Sequence, residues 1–273
     1  MVPHRVFKAF AVLTFVAVPM LAAASHAADM KVDPALKAVL DGPQRSAEHK
    51  ARDQYRHPGE TLTFFGLKPD MTVVELWPFG GWYTEILAPY LKAHGKLYGA
   101  NVASDVRGLG GYRSAFENKL ASDKSLYSDV VETNLGPSDS AIAPPGSADM
   151  VVTFRNIHNW DAAGFTEHAF KEVYAALKPG GIFGVVEHRA KPGMESKEPG
   201  YVDEDRAIKQ IEAAGFKLVA KSEINANPKD TKDYPAGVWT LPPDFRLGAK
   251  DRDKYAAIGE SDRFTLKFIK PKD

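Results

Sequence analysis

The chain contains no cysteine, so no disulfide bond can hold its fold together. With 273 residues, 44% of them hydrophobic, it is long enough to be stabilised by a hydrophobic core alone. Its 35 basic and 35 acidic residues give a formal net charge of zero, so no basic field indicates nucleic-acid binding. The eight histidines are scattered and no HExxH motif is present, which gives no sign of a metal site.

Long apolar runs are also missing, except at the N-terminus. There His4, Arg5 and Lys8 precede an apolar stretch over residues 9–24, and the small residues of Ser25–Ala27 follow. This pattern predicts a signal peptide cleaved after residue 27 and a periplasmic or secreted protein without a membrane span. The alternative is an uncleaved anchor, although the run is shorter than the roughly 20 residues that a span needs.

The rest of the chain predicts an α/β fold. Residues 28–60 are predicted to form a helical cap, in which one helix begins after Ser46 and ends at Pro58. Residues 61–273 are predicted to form one domain, which opens with a short apolar turn over residues 61–66 and continues with alternating strands and helices. Ligands of such sheets lie beyond the carboxyl ends of the strands, where the strand order reverses. The predicted strands are 72–76, 96–101, 129–135, 150–154, 182–188, 217–225 and 263–271.

The first candidate site follows the first strand, in the stretch "VVELWPFGGWYT" (Val73–Thr84). An apolar strand carries Glu75 near its end, and a Pro/Gly turn leads into a predicted helix. Glycine in such a turn lets backbone N–H groups approach a ligand closely. The fingerprint GxGxxG is absent, which disfavours a nicotinamide dehydrogenase. The alternative is a strand–helix turn that binds nothing.

The second candidate site follows the strand 150–154. Polar and aromatic side chains gather there, where packing alone does not require them. His158 is the candidate base, because an imidazole titrates near neutral pH. The alternative is that His158 and Trp160 only cap the strand and fill a loop. The residues of this group are Arg155, Asn156, His158, Asn159 and Trp160, with Glu187 and His188 ending the next strand.

These motifs, in this order, resemble class I S-adenosylmethionine-dependent methyltransferases from about Thr61 to Lys270, and more narrowly an exported, methyltransferase-like bacterial group. The resemblance implies a Rossmann-like sheet of seven mostly parallel strands with the last one antiparallel, and S-adenosylmethionine as cofactor. The stretches that carry it are "VVELWPFGGWYT", "PPGSADMVVTFRNIHNW", "VYAALKPGGIFGVVEH" and "IEAAGFKLV".

The resemblance also implies roles for individual residues. Glu75 would hold the ammonium group of the cofactor, Asn101 its ribose and Asn134 its adenine, while His158 would act as acid or base on the acceptor. Two of the three glycines of the family's loop fall on Trp77 and Phe79 here, and the third on Gly81. The remaining predicted cofactor-binding residues are Trp77, Gly80, Gly81, Arg155 and Asn156.

The predicted acceptor site draws on three parts of the chain. An aromatic and proline-rich insertion before the last strand is a candidate wall of an apolar pocket. The alternative is a loop packed on itself. The predicted substrate residues are Tyr55, His57, Asn159, Trp160, His188 and Trp239.

The leading prediction is therefore a methyltransferase acting on a small or lipid-like acceptor. A second hypothesis, from another class, is a periplasmic binding protein on a degenerate methyltransferase fold, in which aromatic side chains reline the old cofactor pocket. A third is a hydrolase that uses His158 and a carboxylate, which no GxSxG motif supports. The sequence leaves the acceptor and the oligomeric state open.

Overall fold

The computed structural model of the protein describes residues 31–138, 140–194 and 199–272. The predicted signal peptide lies outside these residues. Within the described ranges, no helix has the length and apolar character that a bilayer crossing requires.

Seven strands form a single sheet in the order β3-β2-β1-β4-β5-β7-β6. Strands β1 to β5 pair in parallel, whereas β7 runs antiparallel to both β5 and β6. The predicted α/β class and seven-stranded, Rossmann-like sheet are confirmed. The bounds are β1 Thr72–Leu76, β2 Lys96–Val102, β3 Val131–Leu135, β4 Ala148–Phe154, β5 Leu177–His188, β6 Lys217–Ser222 and β7 Arg263–Ile269.

Eleven α-helices are described around the sheet. Helices lie between consecutive strands except between β3 and β4, and the stretch between β6 and β7 contains one described α-helix, α11. The bounds are α1 Pro34–Asp41, α2 Ala47–Lys50, α3 Asp53–Arg56, α4 Pro58–Phe65, α5 Thr84–Leu91, α6 Gly110–Ser122, α7 Lys124–Tyr127, α8 Ile157–Ala163, α9 Thr166–Ala176, α10 Glu204–Ala213 and α11 Arg252–Ile258.

Two helical details differ from the sequence prediction. The single helix expected over residues 46–58 is two short helices, α2 and α3. The turn expected over residues 61–66 is helix α4, which begins with Pro58 at a position that needs no N–H donor and ends at Gly66 in the left-handed conformation. Tertiary packing favours this helix, because Leu62 and Phe65 are fully buried.

Both faces of the sheet are covered, as a parallel sheet requires. Val74 packs into the core on one face, and its neighbour Val73 packs into the core on the other. Gly184 of β5 lets helix α4 approach closely, since a Cβ there would lie 2.6 Å from the ring of Phe65. The carboxyl edge of the sheet is thus the place where a ligand could reach the strands.

The insertion between β6 and β7 covers part of that edge. It contains a short 3-10 helix, Gly237–Thr240, and helix α11. Because β7 is antiparallel to β5, its first residue, Arg263, lies opposite His188, the last residue of β5. Side chains from the end of the insertion are thereby brought to the carboxyl ends of the parallel strands.

Candidate active site

A cavity of about 310 Å³ lies beyond the carboxyl ends of β4 and β5. Six parts of the chain line it: the segment of Arg52 and Arg56, the β1–α5 loop, the start of α6, the end of β4 with the residues after it, the end of β5, and the insertion before β7. Among the predicted site residues, the cavity brings together Arg155, His158, Asn159, His188 and Trp239. These residues span more than 80 positions of the sequence, so only the sheet topology places them side by side.

The chemical centre of the cavity is a histidine–carboxylate pair. His158 Nδ1 lies 3.1 Å from Glu187 Oε1, and the Glu187 side chain is fully buried. The other oxygen, Oε2, accepts the backbone N–H of Ile157 at 2.7 Å, where helix α8 begins. With Nδ1 directed to the carboxylate, Nε2 remains for a ligand. This is the arrangement of an acid/base histidine held in one tautomer.

His188 stands beside this pair. Its ring centre is 5.4 Å from that of His158, and its Nδ1 lies 2.5 Å from Ser261 Oγ. Burial lowers the pKa of His188 well below its usual value, and the nearby charges of His158, Arg263, Arg155 and Arg56 lower it further. The imidazole is therefore neutral at pH 7. It serves as a hydrogen-bonding group and carries no charge.

Three arginines share one buried glutamate at the wall of the cavity. Arg52 Nε lies 2.6 Å from Glu260 Oε1, Arg56 Nε lies 3.2 Å from Oε2, and Arg263 pairs with the same Oε2. Burial alone would raise the pKa of Glu260, but the attraction of the three guanidinium groups outweighs it and holds this pKa far below its usual range. Glu260 is thus a permanent anion.

A fourth arginine, Arg155, has no such partner. Its side chain lines the cavity and makes no hydrogen bond or ion pair with another residue in the described part of the chain. Burial lowers its pKa to about 10, and repulsion from Arg263 acts in the same direction. Its backbone φ of 63° lies in the left-handed region, where a residue other than glycine is uncommon. The first residue after β4 therefore adopts a left-handed backbone and carries a cation that has no direct ion-pair partner in the described residues.

The β1–α5 loop adopts a left-handed backbone at three positions, and only one of these three residues is glycine. Trp77 and Phe79 have φ values of 44° and 52°, and Gly81 has a φ of 73°. Bulky residues adopt such values at a cost of the order of 1–3 kcal/mol, so the surrounding structure must hold them. The three positions that the sequence resemblance aligns with glycines thus all adopt the left-handed conformation.

The indole of Trp77 fills the space above the neighbouring strands. It is 2% exposed and packs against Phe79, Trp160 and Phe165. Its Nε1–H donates to the carbonyl oxygen of Leu135 at 2.9 Å, so it reaches from the end of β1 to the end of β3. Trp160, a predicted substrate residue, is fully buried behind it in the core.

The polar residues predicted along β1 and β2 bind other parts of the protein. Thr84 Oγ1 lies 2.6 Å from Glu75 Oε2, and burial raises the pKa of Glu75 to about 8, so this carboxyl is neutral at pH 7. The Asn101 Nδ2 group donates to Glu132 Oε1 and to the carbonyl of Arg113. Neither side chain lines the cavity, and their predicted roles remain predictions.

The remaining predicted residues are spread over several places. Asn134 is half-buried on β3, next to Asn101 in the strand register. A side chain added at Gly80 would meet open space. Tyr55 and His57 line a smaller, neighbouring pocket on the other side of Glu260.

Sequence reasoning did not assign a role to Glu187, Glu260, Ser261 or Arg263. The sequence placed Glu187 only at the end of a strand, and "GESDR" before the last strand resembles an ordinary polar turn. One feature of the sequence could have indicated a role for "GESDR": this segment directly precedes the last strand. Because that strand is antiparallel, it begins at the edge of the sheet where the parallel strands end.

The sheet order and the antiparallel β7 match the class I methyltransferase fold. Among solved structures, a SAM-dependent methyltransferase from Aquifex aeolicus is similar with a TM-score of 0.56 and 16% identity over 88% of this chain and 100% of its own. The [4+2]-cyclase SpnF has a TM-score of 0.56 and 17% identity over 88% of this chain and 92% of its own. The trans-methyltransferase CalH, solved in complex with SAH, has a TM-score of 0.50 and 14% identity over 81% of this chain and 58% of its own.

At such low identities, the likeness establishes the fold. SpnF, which has a similar fold, is named as a [4+2]-cyclase, so the fold alone does not fix the reaction. No protein-family model matches the chain, and neither does any curated protein.

S-adenosylmethionine is the cofactor that this fold implies, and the described residues fit it in part. The Asn156 Nδ2 group donates to the carbonyl of Leu76 at 2.9 Å, while its buried Oδ1 has no hydrogen-bond partner in the described residues. A free acceptor beside the loop suits the ammonium group of the cofactor. On the side of β2 and β3 the fit is poor, because Trp77 fills the space and the amide of Asn101 is already bonded.

Proposed function

We propose that the protein is a methyltransferase that uses S-adenosylmethionine and acts on a small molecule. The observation that carries this proposal is the left-handed backbone of Trp77, Phe79 and Gly81, at the three positions where the family has glycine. A loop without a function would not retain a conformation that costs free energy at two aromatic residues. The similarity to solved SAM-dependent methyltransferases supports the same conclusion.

The roles of the chain's own residues follow from the geometry of the cavity. The cofactor, when bound, supplies an electrophilic methyl group. The buried Oδ1 of Asn156 and the backbone around Gly80 and Gly81 hold it. His158 Nε2 accepts the proton of the acceptor, and Glu187 keeps the ring in place and stabilises the imidazolium that forms. Most of the rate enhancement comes from holding the two reactants in line.

Calorimetric titration with S-adenosylmethionine and S-adenosylhomocysteine tests the proposal. We expect micromolar binding to the purified protein and a clear loss of affinity in Asn156→Ala. His158→Gln is the matched control, since it lies on the acceptor side and leaves cofactor binding unchanged. Absence of heat at millimolar ligand, from a sample with native circular dichroism, would refute the cofactor assignment.

A second candidate function is a cofactor-free binding protein, and the buried indole of Trp77 favours it. In that case the cavity holds a metabolite and the loop only completes the wall. Phe79→Gly distinguishes the two functions. A protein that already binds the cofactor changes its affinity little. A binding protein gains measurable affinity for S-adenosylmethionine only when the ring is removed.

The pattern of residues 1–27 leads us to propose that the protein is exported and acts outside the cytoplasm. N-terminal sequencing of the protein recovered from a periplasmic extract is expected to begin at residue 28. Recovery of the intact N-terminus in a membrane fraction would instead support the uncleaved anchor.

A further inference from the structure

The cavity carries more positive charge than the protein itself neutralises. Arg52, Arg56, Arg155 and Arg263 all line it, and Glu260 is the single carboxylate that pairs with three of them. These four cations, together with the two carboxylates Glu260 and Glu187, leave a formal charge of +2. The two histidines at the site do not offset this charge. Arg246 and Asp244 also line the cavity and cancel each other formally.

This charge is held in surroundings that screen it poorly. The side chains of Arg56, Arg263 and Glu260 are 5%, 3% and 1% exposed. Like charges so deeply buried cost free energy unless a ligand compensates them, because the low local dielectric strengthens their repulsion. The Nε of Arg263 also lacks a hydrogen-bond partner in the described residues. The free protein is therefore strained electrostatically in a way that an anion would relieve.

We propose that Arg155, Arg263 and their neighbours bind the phosphate group of a small phosphate monoester. Guanidinium groups match the oxygens of phosphate and carboxylate in pairs. A charge of +2 is better balanced by a dianion than by a single carboxylate. Such a ligand can form charge-assisted hydrogen bonds with Arg155, the one arginine of the cluster without a partner.

The other walls of the cavity fit the organic part of such a ligand. Trp239 lines the cavity, with its ring centre 5.9 Å from that of His158. Phe79 and Tyr112 also line it and form an aromatic pair with ring centres 4.7 Å apart. A flat apolar body that contacts these rings would place its phosphate at the arginines and its other end beside His158.

The same charges argue against a metal ion at the neighbouring histidines. The side chains of His158, Glu187 and His188 bring ligand atoms within 4.8 Å of one another. Both oxygens of Glu187, however, already accept hydrogen bonds. A cation there would also be repelled by Arg155 and Arg263, whose charges already disfavour protonation of His188. The site favours an anion.

The phosphate site does not rest on methyl transfer, since it follows from the charge of the cluster whatever the cofactor. Its test therefore omits S-adenosylmethionine. Phenyl phosphate and benzoate are titrated calorimetrically into the purified protein at constant ionic strength, in wild type, Arg155→Gln and Arg107→Gln. Arg107 is an exposed arginine outside the cavity and serves as the matched control.

We expect phenyl phosphate to bind wild type and Arg107→Gln equally, and Arg155→Gln about tenfold or more weakly, because a charge-assisted contact is lost. Binding is expected to weaken as salt is raised. Arg155→Gln should fold, since the change removes a repulsive charge. If it does not, Arg52→Gln, on a side chain 23% exposed, replaces it.

Two results would overturn the proposal. Equal affinity for benzoate and phenyl phosphate would remove the preference for a phosphate dianion. Equal affinity of Arg155→Gln and wild type for phenyl phosphate would mean that the arginine cluster does not hold the anion. A failure of the methyltransferase proposal would leave both measurements unaffected.

Discussion

The two halves of the sheet's carboxyl edge contrast sharply. At the ends of β1 and β2, aromatic side chains fill the space, and Glu75 and Asn101 bind within the protein. At the ends of β4 and β5, a cavity remains open and is lined by arginines and histidines. The first half is closed and nearly neutral, whereas the second is open and positively charged.

This difference indicates where the chemistry of the protein lies. In the family that the sequence resembles, the first half holds most of the cofactor. Here Trp77 occupies that half, and the ionisable groups lie in the second. A shared fold therefore fixes the edge at which ligands bind, while side chains decide which part of the edge is available.

The largest loss of stability is expected when Glu260, the carboxylate shared by three arginines in the open half, is replaced. Glu260→Gln leaves three arginines close together without their common anion, and we expect a loss of about 3–5 kcal/mol in the free energy of unfolding. Urea denaturation at pH 7 measures it. Glu117→Gln is the control, because its pair with Arg113 is exposed and contributes at most about 0.5 kcal/mol. Similar losses in the two variants would contradict the comparison.

The second prediction concerns Glu75 in the closed half, because burial raises the pKa of this carboxyl from its ordinary value of 4.5 to about 8. The folded protein keeps this proton while the unfolded chain releases it, so stability falls as pH rises from 4.5 to 8. The loss from this group should reach about 3 kcal/mol at pH 7. Glu75→Gln should lack this slope, and Glu117→Gln should keep it.

Urea denaturation at several pH values between 4.5 and 8 measures both slopes. The difference between wild type and Glu75→Gln isolates this carboxyl from other titrating groups. Identical slopes would mean that Glu75 is ionised in the folded protein, which would make it available to an ammonium group.

The third prediction tests how firmly Trp77 closes its half. Trp77→Phe removes the hydrogen bond to the carbonyl of Leu135 and leaves a small void. We expect a loss of about 1–2 kcal/mol. Tyr112→Phe, on a side chain 51% exposed, should cost far less and serves as control. A neutral Trp77→Phe would indicate that the indole is loosely held and that the closed half can open.

The smallest effect is expected at Phe79. Phe79→Gly loses the ring contact with Tyr112 but relieves the strain of the positive φ. These two effects on the free energy of unfolding have opposite signs, so we expect a net change within about 1 kcal/mol. Phe79→Ala loses the ring and keeps the strain. Glycine should therefore be more stable than alanine here by about 1 kcal/mol in thermal unfolding. Equal stability of the two variants would mean that the loop backbone is not strained.

Much of the fold was predictable from local pattern. The alternation of apolar strands with amphipathic helices predicted the sheet, and the resemblance to class I methyltransferases implied its antiparallel last strand. The split of residues 46–58 into two helices was not predictable. It depends on Arg52 and Arg56, which lie on these turns and reach a glutamate more than 200 residues away.

The candidate site was predicted only where its residues follow a local sequence pattern. His158 and His188 were found because polar residues gather where buried strands end. Glu260 and Arg263 were missed because nothing near them in the sequence marks them as partners of Arg56.

The sequence by itself determined the order of elements and the edge at which ligands bind, because periodicity and turn residues act over a few neighbouring positions. The tertiary structure alone decided that this edge has a closed and an open half. Whether Trp77 points into the space above β2 or away from it depends on a carbonyl at the end of β3. Whether four arginines form one cluster depends on the antiparallel course of β7. Both are contacts between distant residues, which no local pattern encodes.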